Sequence, residues 1–498
     1  MTKNRTAQVK DDPNFIEFTR EQWSVGTILI LYLILIFAFK LRPSGVSRLL
    51  NRLLKRNKED SIRVDGEILA NAARLRHTHI VGATGSGKTV LLEKLLIEDI
   101  KRGHGCLIVD PKGDRELFER VKWECSKHAR ANDLQLFSST HLAESYWWNP
   151  CGLGNASELQ SKFYNSAIYS EPHYAKWCEK ILLEVFTKLT SNRPTGFTIH
   201  NAIQEVGNLA NSGSGKNEKV EGLFLDLFNL ANGEWAPLFD RNPKKSEINF
   251  LNLTQNSQIL FVDLPTESKK VQSSRIGRLL TQELMLVSGL RKVFPSLRTD
   301  KPFSVYIDEF DAFATESFAT FLNKARSSSF MIHIAHQTLS DLNRISPDFS
   351  GQILGNCNVR FIFRQDDPDD AERWSRFIGT KKSTKRTYQT QNGSSTGMSS
   401  NRDVQEFIVT PDQIKNLKIG EYVLSVKTDQ LTRLVKSRFS ISDMETPAAN
   451  SSDGPMMRGT GARSNSIEEL NPVGIRTEAS PQKDAASVDA WHIAGISN

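Results

Sequence analysis

The sequence predicts an α/β fold: a sheet buried on both faces, interrupted by an all-helical insertion and preceded by one long apolar segment. Three observations predict it. From about residue 60 to 440, short and nearly continuous apolar runs alternate with helical periodicity, the pattern of strands covered on both sides by helices. Between about residues 115 and 250 the strand pattern fades and helical spacing takes over, as in 175–189, 199–210 and 220–230. A glycine-rich stretch, 82–89, follows the first strong strand and opens a helix.

Taken in order, residues 1–22 carry four basic and four acidic side chains, which argues against the basic leader of a secretory signal. Trp23 to Phe39 is an uncharged, largely apolar run of 17 residues, the lower limit for crossing a hydrocarbon core of about 30 Å. Lys40 extends it by reaching to the interface, and we assign 23–41 as a transmembrane helix. Residues 40–58 bear Lys40, Arg42, Arg48, Arg52, Lys55, Arg56 and Lys58 without an acid, so the C-terminal side faces the cytoplasm. These seven charges match the whole formal net charge of +7, and the overall basicity therefore says little about nucleic acid. Within 42–60, Val46, Leu49, Leu50, Leu53 and Leu54 keep helical spacing; this basic juxtamembrane helix lies on an anionic surface or packs on the body.

The body divides by these patterns into a first part at 61–150, an all-α insertion at 151–250 and a second part at 251–442. Expected strands are 78–81, 106–110, 259–263, 303–308, 330–335, 359–363 and 422–426. The polar stretch 380–402, with Lys381, Lys382, Lys385, Arg386 and Arg402, reads as a mobile loop, and 443–498 as a disordered tail. Five scattered cysteines without a CxxC pair indicate reduced, mostly buried thiols rather than a zinc or disulfide framework.

Gly82, Ala83, Thr84, Gly85, Ser86, Gly87, Lys88 and Thr89 match G-x-x-x-x-G-K-[ST] at every fixed position. Glycines let successive backbone N–H groups point at phosphate oxygens, and the helix behind adds its N-terminal dipole. Lys88 is expected on the outer phosphates and the Thr89 hydroxyl on Mg²⁺, making ATP with Mg²⁺ the expected cofactors. The apolar run 303–307 delivers Asp308 to a strand end as a second metal-binding group, with Glu309 beside it as general base for the attacking water. Gln337, after 330–335, is positioned to orient that water or is a plain strand-end polar residue. Arg326, just before that strand, serves as an arginine finger across a ring of subunits or stays solvated. Asp110, opening 110–114, lines the site at a switch point of the sheet or only shapes a turn. His333 and His336 have no Cys or acidic partner at ligand spacing, which points away from a metal site.

Taken together, the stretches 82–89, 110–114, 148–150, 307–310, 325–326, 336–337 and 406–421 resemble the type IV secretion coupling proteins, membrane-anchored ATPases with a RecA-like P-loop NTPase domain. The resemblance implies a homo-hexamer below the bacterial inner membrane, with 1–22 as a short periplasmic segment. It also implies ATP-driven passage of single-stranded DNA during conjugation, recruitment of a relaxase within its relaxosome, and contact with the type IV secretion channel and its ATPases. One feature departs from the family: members commonly carry two transmembrane helices joined by a periplasmic hairpin, whereas this sequence shows one. Transport of protein effectors by the same motor, a nucleotide-gated recruitment platform, and a chromosome-processing translocase are the competing readings. The basic stretch at 381–386 lines a DNA pore or is an ordinary solvated loop.

Overall fold

Strands and helices alternate through most of the computed structural model, which describes residues 60–437 apart from 170, 194–195, 212–216 and 392–393. The apolar segment 23–41, the tail 443–498 and all but the last residue of the basic helix lie outside these residues. Among the described residues no helix is long and apolar enough to cross a membrane.

A two-stranded hairpin, β1 (Ser61–Val64) with β2 (Glu67–Ala70), leads into β3 (Thr78–Val81), α1 (Lys88–Lys101), β4 (Gly105–Asp110), α2 (Arg115–Lys127) and β5 (Leu134–Ser138). Helices then follow without a named strand: α3 (Ala156–Ser166), α4 (Pro172–Asn192), α5 (Ile199–Asn211) and α6 (Asn217–Ala231) are the longest. The chain returns as β6 (Ile259–Asp263), α7 (Lys270–Val293), β7 (Phe303–Ile307), α8 (Glu316–Ala325), β8 (Phe330–His336), β9 (Val359–Ile362) and α9 (Pro368–Ile378). It closes with β10 (Thr380–Gln391), β11 (Ser394–Phe407), β12 (Glu421–Val426) and β13 (Leu431–Lys436).

Local chemistry accounts for the helix starts. The Asp114 carboxylate accepts from the N–H groups of Glu116 and Leu117 at the head of α2, and Asn155 forms a reciprocal capping box with Glu158 at the head of α3. Such caps satisfy donors that the first helical turn leaves without partners.

Nine strands form one sheet in the order β13-β12-β9-β3-β8-β7-β4-β6-β5. The seven strands from β9 to β5 run parallel, while β12 is antiparallel to both β9 and β13. The seven expected strands are all present, and the two missed ones, β5 and β13, are the edges. In β13 only Val435 is buried, so its sequence lacks the continuous apolar run of a central strand; β5 is mostly buried, but Gln135 and Ser138 break its run.

Side chains alternate between two cores. Leu107, Val109, Leu260, Val262, Val305 and Ile332 point to one face, where they share a core with Phe163, Phe186 and Leu227 of the inserted helices. Cys106, Ile108, Phe261 and Tyr306 point to the other, against Leu91, Leu95 and Val121 of α1 and α2. The helical insertion is thus the cover of one sheet face. Lys162 of α3 and Glu283 of α7 pair in that layer with almost no exposure, tying the insertion to the sheet's own helix. The five cysteines are buried and form no disulfide.

The stretch 380–402 departs from the expectation of a mobile loop: β10 and β11 make a long antiparallel hairpin, pairing Thr380 with Phe407 through Gln391 with Ser394. Its composition is polar, but a hairpin satisfies its backbone groups locally and needs little core. Threonine-rich alternation and the dipeptide Asn392-Gly393 between the two runs are the signal in the sequence, since that pair favours tight hairpin turns.

Candidate nucleotide site

Parallel strands β3, β8, β7 and β4 are neighbours, so their carboxyl ends deliver four loops to one edge of the sheet, where α/β sheets bind ligands. After β3 the chain turns through 82–87 into α1. Gly87 caps that helix at φ 114°, a left-handed conformation that a side chain would strain. A Cβ on Gly82 would lie 2.4 Å from Phe363 Cβ, so only glycine allows the loop to seat on the segment after β9. The Lys88 ammonium donates to the carbonyls of Gly82 (2.6 Å) and Ala83 (3.1 Å), and its burial lowers its pKa against the pull of Asp308.

Thr89 Oγ1 donates to Asp308 Oδ2 at 2.8 Å. The Lys112 ammonium donates to the same two oxygens, at 2.8 Å and 3.3 Å. A hydroxyl and a carboxylate this close, already sharing one cation, form a donor set that fits a hard divalent ion such as Mg²⁺. Burial works against the Lys112 charge, but Asp308 outweighs it and raises the pKa.

Glu309 follows Asp308 at φ 42°, a left-handed conformation rare for a residue with a side chain and typical of functional turns. Its N–H donates to Asp308 Oδ1 at 3.0 Å. Burial and then the neighbouring Asp308 raise the Glu309 pKa, partly offset by Lys112. A carboxylate shifted upward is a stronger base. Just past the end of β8, Gln337 accepts through Oε1 from the Thr84 hydroxyl at 2.9 Å, linking this strand end directly to the phosphate loop. Behind it His336 Nδ1 donates to the Thr338 carbonyl at 2.8 Å, and its Nε2 stands 2.5 Å from His79 Nε2. The two rings are stacked and wholly buried, and burial pushes the His336 pKa down to about 4. These histidines are neutral props beneath the Gln337 turn.

A cavity of about 480 Å³ joins Thr84, Lys88, Thr89, Asp308, Glu309 and Gln337. The structure does not bring Arg326 to it. That exposed residue precedes β8, at the opposite end of the strand from Gln337 and about 20 Å away along it. There it lines a cleft with His77 and Arg360.

Three positions were not legible as site residues. Lys112 sits in the turn whose Asp110 carboxylate accepts from the N–H groups of Lys112 (3.2 Å) and Asp114 (2.7 Å); burial lifts the Asp110 pKa to about 6. Asp110 is thus the frame of the turn and Lys112 the group that reaches the site. Gly420 donates to the Ser86 carbonyl at 2.9 Å, and Ile419, three-quarters exposed, borders the same cavity. A lone lysine in a turn and an isoleucine more than 300 residues from the loop carry no local pattern.

A phosphate-binding loop joined to an aspartate–glutamate strand end on a largely parallel sheet defines a P-loop nucleotide-binding ATPase fold. Comparison with known proteins narrows this. The family model described as the type IV secretion-system coupling protein DNA-binding domain matches residues 68–120, and the model described as the TraM recognition site of TraD and TraG matches residues 302–418. The type 4 coupling protein DotL of Legionella pneumophila is 24% identical over 390 residues, covering 62% of this chain and 50% of DotL. The chain therefore spans about half the length of that relative. The bacterial conjugative coupling protein TrwBdeltaN70 is similar in structure with a TM-score of 0.61 at 17% identity, over 76% of this chain and 88% of that one. TrwB in complex with ADP and Mg²⁺ gives 0.59 at 17% identity, over 76% and 90%. These likenesses show the RecA-like fold of the sheet. With the two family models and DotL, they make the chain similar to the type IV secretion coupling proteins.

Proposed function

We propose that the chain is a membrane-anchored, ATP-driven motor that couples a relaxase–DNA substrate to a type IV secretion channel and translocates single-stranded DNA during conjugation. The observation that carries it is the convergence of Lys88, Thr89, Asp308, Glu309 and Gln337 on one cavity, in a chain similar to the coupling proteins. In this reading the N–H groups of 82–89 cradle the phosphates and Lys88 leaves the Gly82 and Ala83 carbonyls for the outer phosphate oxygens. Thr89 and Asp308 hold Mg²⁺, which when bound supplies positive charge against the phosphate oxygens. Glu309 takes a proton from the water that attacks the terminal phosphorus, giving ADP and inorganic phosphate. Gln337, tethered to Thr84, orients that water.

In this reading Arg326 acts from a neighbouring subunit, consistent with its distance from its own site. We assign the assembly as a homo-hexamer in the bacterial inner membrane, single-pass through 23–41, with the ATPase body in the cytoplasm. Its partners are the relaxosome, the channel and the channel's ATPases. The β10–β11 hairpin, exposed and carrying Lys381, Lys382, Lys385 and Arg386, is the element we assign to sequence-blind phosphate contact. TrwB bound to ADP and Mg²⁺ supports the choice of cofactors.

The test is the ATPase rate of the full-length protein in lipid, with and without single-stranded DNA, beside Lys88→Ala. Hydrolysis that needs Lys88 and rises with DNA is expected. Lys88-dependent hydrolysis indifferent to DNA moves the reading to a protein-effector motor, and hydrolysis unaffected by Lys88→Ala ends it.

A further inference from the structure

We propose that Lys112 is a built-in cation that holds Thr89 and Asp308 together until Mg²⁺ takes its place, and so sets how much Mg²⁺ the site requires. The inference rests on the ATP and Mg²⁺ reading above.

The geometry is a closed triangle. Lys112 Nζ donates to Thr89 Oγ1 (2.8 Å) and Asp308 Oδ2 (3.3 Å), and Thr89 Oγ1 donates to Asp308 Oδ2 (2.8 Å). The ammonium thus takes the position between a hydroxyl and a carboxylate that a divalent ion takes in a P-loop site. Both cations cannot hold these oxygens at once. Two like charges at such a distance repel strongly in a partly buried cleft, and each oxygen has few lone pairs to share. Lys112 must therefore leave before Thr89 and Asp308 accept a metal.

The turn allows the side chain to move alone. Asp110 grips the backbone N–H groups of Lys112 and Asp114, and Gly113 at φ 70° completes a turn that fits closely against Asp263. The backbone is therefore fixed. The Lys112 side chain is 41% exposed and unbranched, with four rotatable carbons. The cavity that it lines with Thr84, Gly85 and Lys88 gives the released side chain room to move. Lys112 is in this account a positioning residue: it keeps the Thr89–Asp308 pair assembled, then yields it.

Binding of a fluorescent ATP analogue to the full-length protein, followed while Mg²⁺ is raised from chelated to millimolar, tests this. The comparison is wild type, Lys112→Met, Lys112→Arg and Lys88→Ala. The Mg²⁺ midpoint of Lys112→Met is expected to fall roughly tenfold, the scale of one charge-assisted hydrogen-bond pair no longer competing. Lys112→Arg, which keeps a competing charge, is expected near wild type. Lys112→Gln carries the same expectation as Met and serves where Met does not fold. A Met or Gln midpoint equal to or above wild type overturns the inference while leaving the ATP reading standing. Wild-type binding that ignores both Mg²⁺ and Lys88→Ala overturns both.

Discussion

Replacing Asp99 with Ala is expected to lower the melting temperature of the full-length protein by about 4–6 °C. Asp99 lies in the last turn of α1, and five donors converge on its carboxylate. Arg74 gives two (2.8 and 2.6 Å), with Ser304 at 2.6 Å, Tyr306 at 2.5 Å and His104 Nδ1 at 3.1 Å. Arg74 and Asp99 side chains have no exposure at all. Burial opposes the Asp99 charge, but Arg74 outweighs it and holds the carboxyl well below its usual range. Removing the carboxylate leaves a buried guanidinium without its counter-ion, a loss of about 3–5 kcal/mol. For a body of about 380 residues the entropy of unfolding is about 0.8 kcal/mol/K, which converts that loss into the stated shift. Calorimetry of the wild type, Asp99→Ala and the double variant Arg74→Met/Asp99→Leu makes the measurement. The double variant should recover most of the loss, because no charge is left stranded. A fall below about 1 °C for the single variant, or no recovery in the double, would refute the claim that charge compensation, and not packing, holds this junction. The junction matters for function because Ser304 and Tyr306 belong to β7, the strand that leads to Asp308, so Asp99 ties helix α1 to the strand that carries the proposed metal-binding aspartate.

Three other outcomes are expected. Glu309→Gln should lower the ATPase turnover by about 10²–10⁴-fold, the range for a lost general base, while nucleotide binding measured by fluorescence stays near wild type. Stability should fall as pH drops from about 6.5 towards 4: burial holds the folded pKa of His77 and His336 near 4 and of His333 near 3, so the unfolded chain binds protons there that the folded one does not. Each of the two near 4 contributes about 3 kcal/mol to that loss, and His336→Gln should flatten the melting-temperature slope between those pH values without altering it above pH 7. Charge reversal at Lys381, Lys382, Lys385 and Arg386 should abolish any DNA stimulation of hydrolysis and leave the DNA-free rate unchanged, as read from steady-state ATPase assays; retained stimulation removes the hairpin from the DNA path.

Much of the fold and site was legible because the signals were local. A strand buried on both faces is apolar at most positions, so β3, β4, β6, β7, β8, β9 and β12 announce themselves. The phosphate loop is legible because close backbone approach demands glycine at set spacings. Edge strands β5 and β13 were not: β13 is largely exposed and of mixed composition, while in the mostly buried β5 the polar Gln135 and Ser138 break the apolar run. The β10–β11 hairpin was missed because a polar pair of strands that satisfies its own backbone has the composition of a loop.

By itself, then, the amino-acid order determined the α/β class, the phosphate loop and the candidate pair Asp308 and Glu309, since each depends on residues adjacent in the chain. Tertiary structure alone decided that Lys112 shares its ammonium between Thr89 and Asp308, and that Gln337 is tied to Thr84. It also decided that Gly420 braces Ser86, and that Arg326 stands at the far end of β8. Those relations join residues from 23 to more than 300 positions apart. They arise because parallel strands bring distant carboxyl ends to one edge, where the antiparallel β12 also begins just after Gly420, a consequence of strand order that no local pattern encodes.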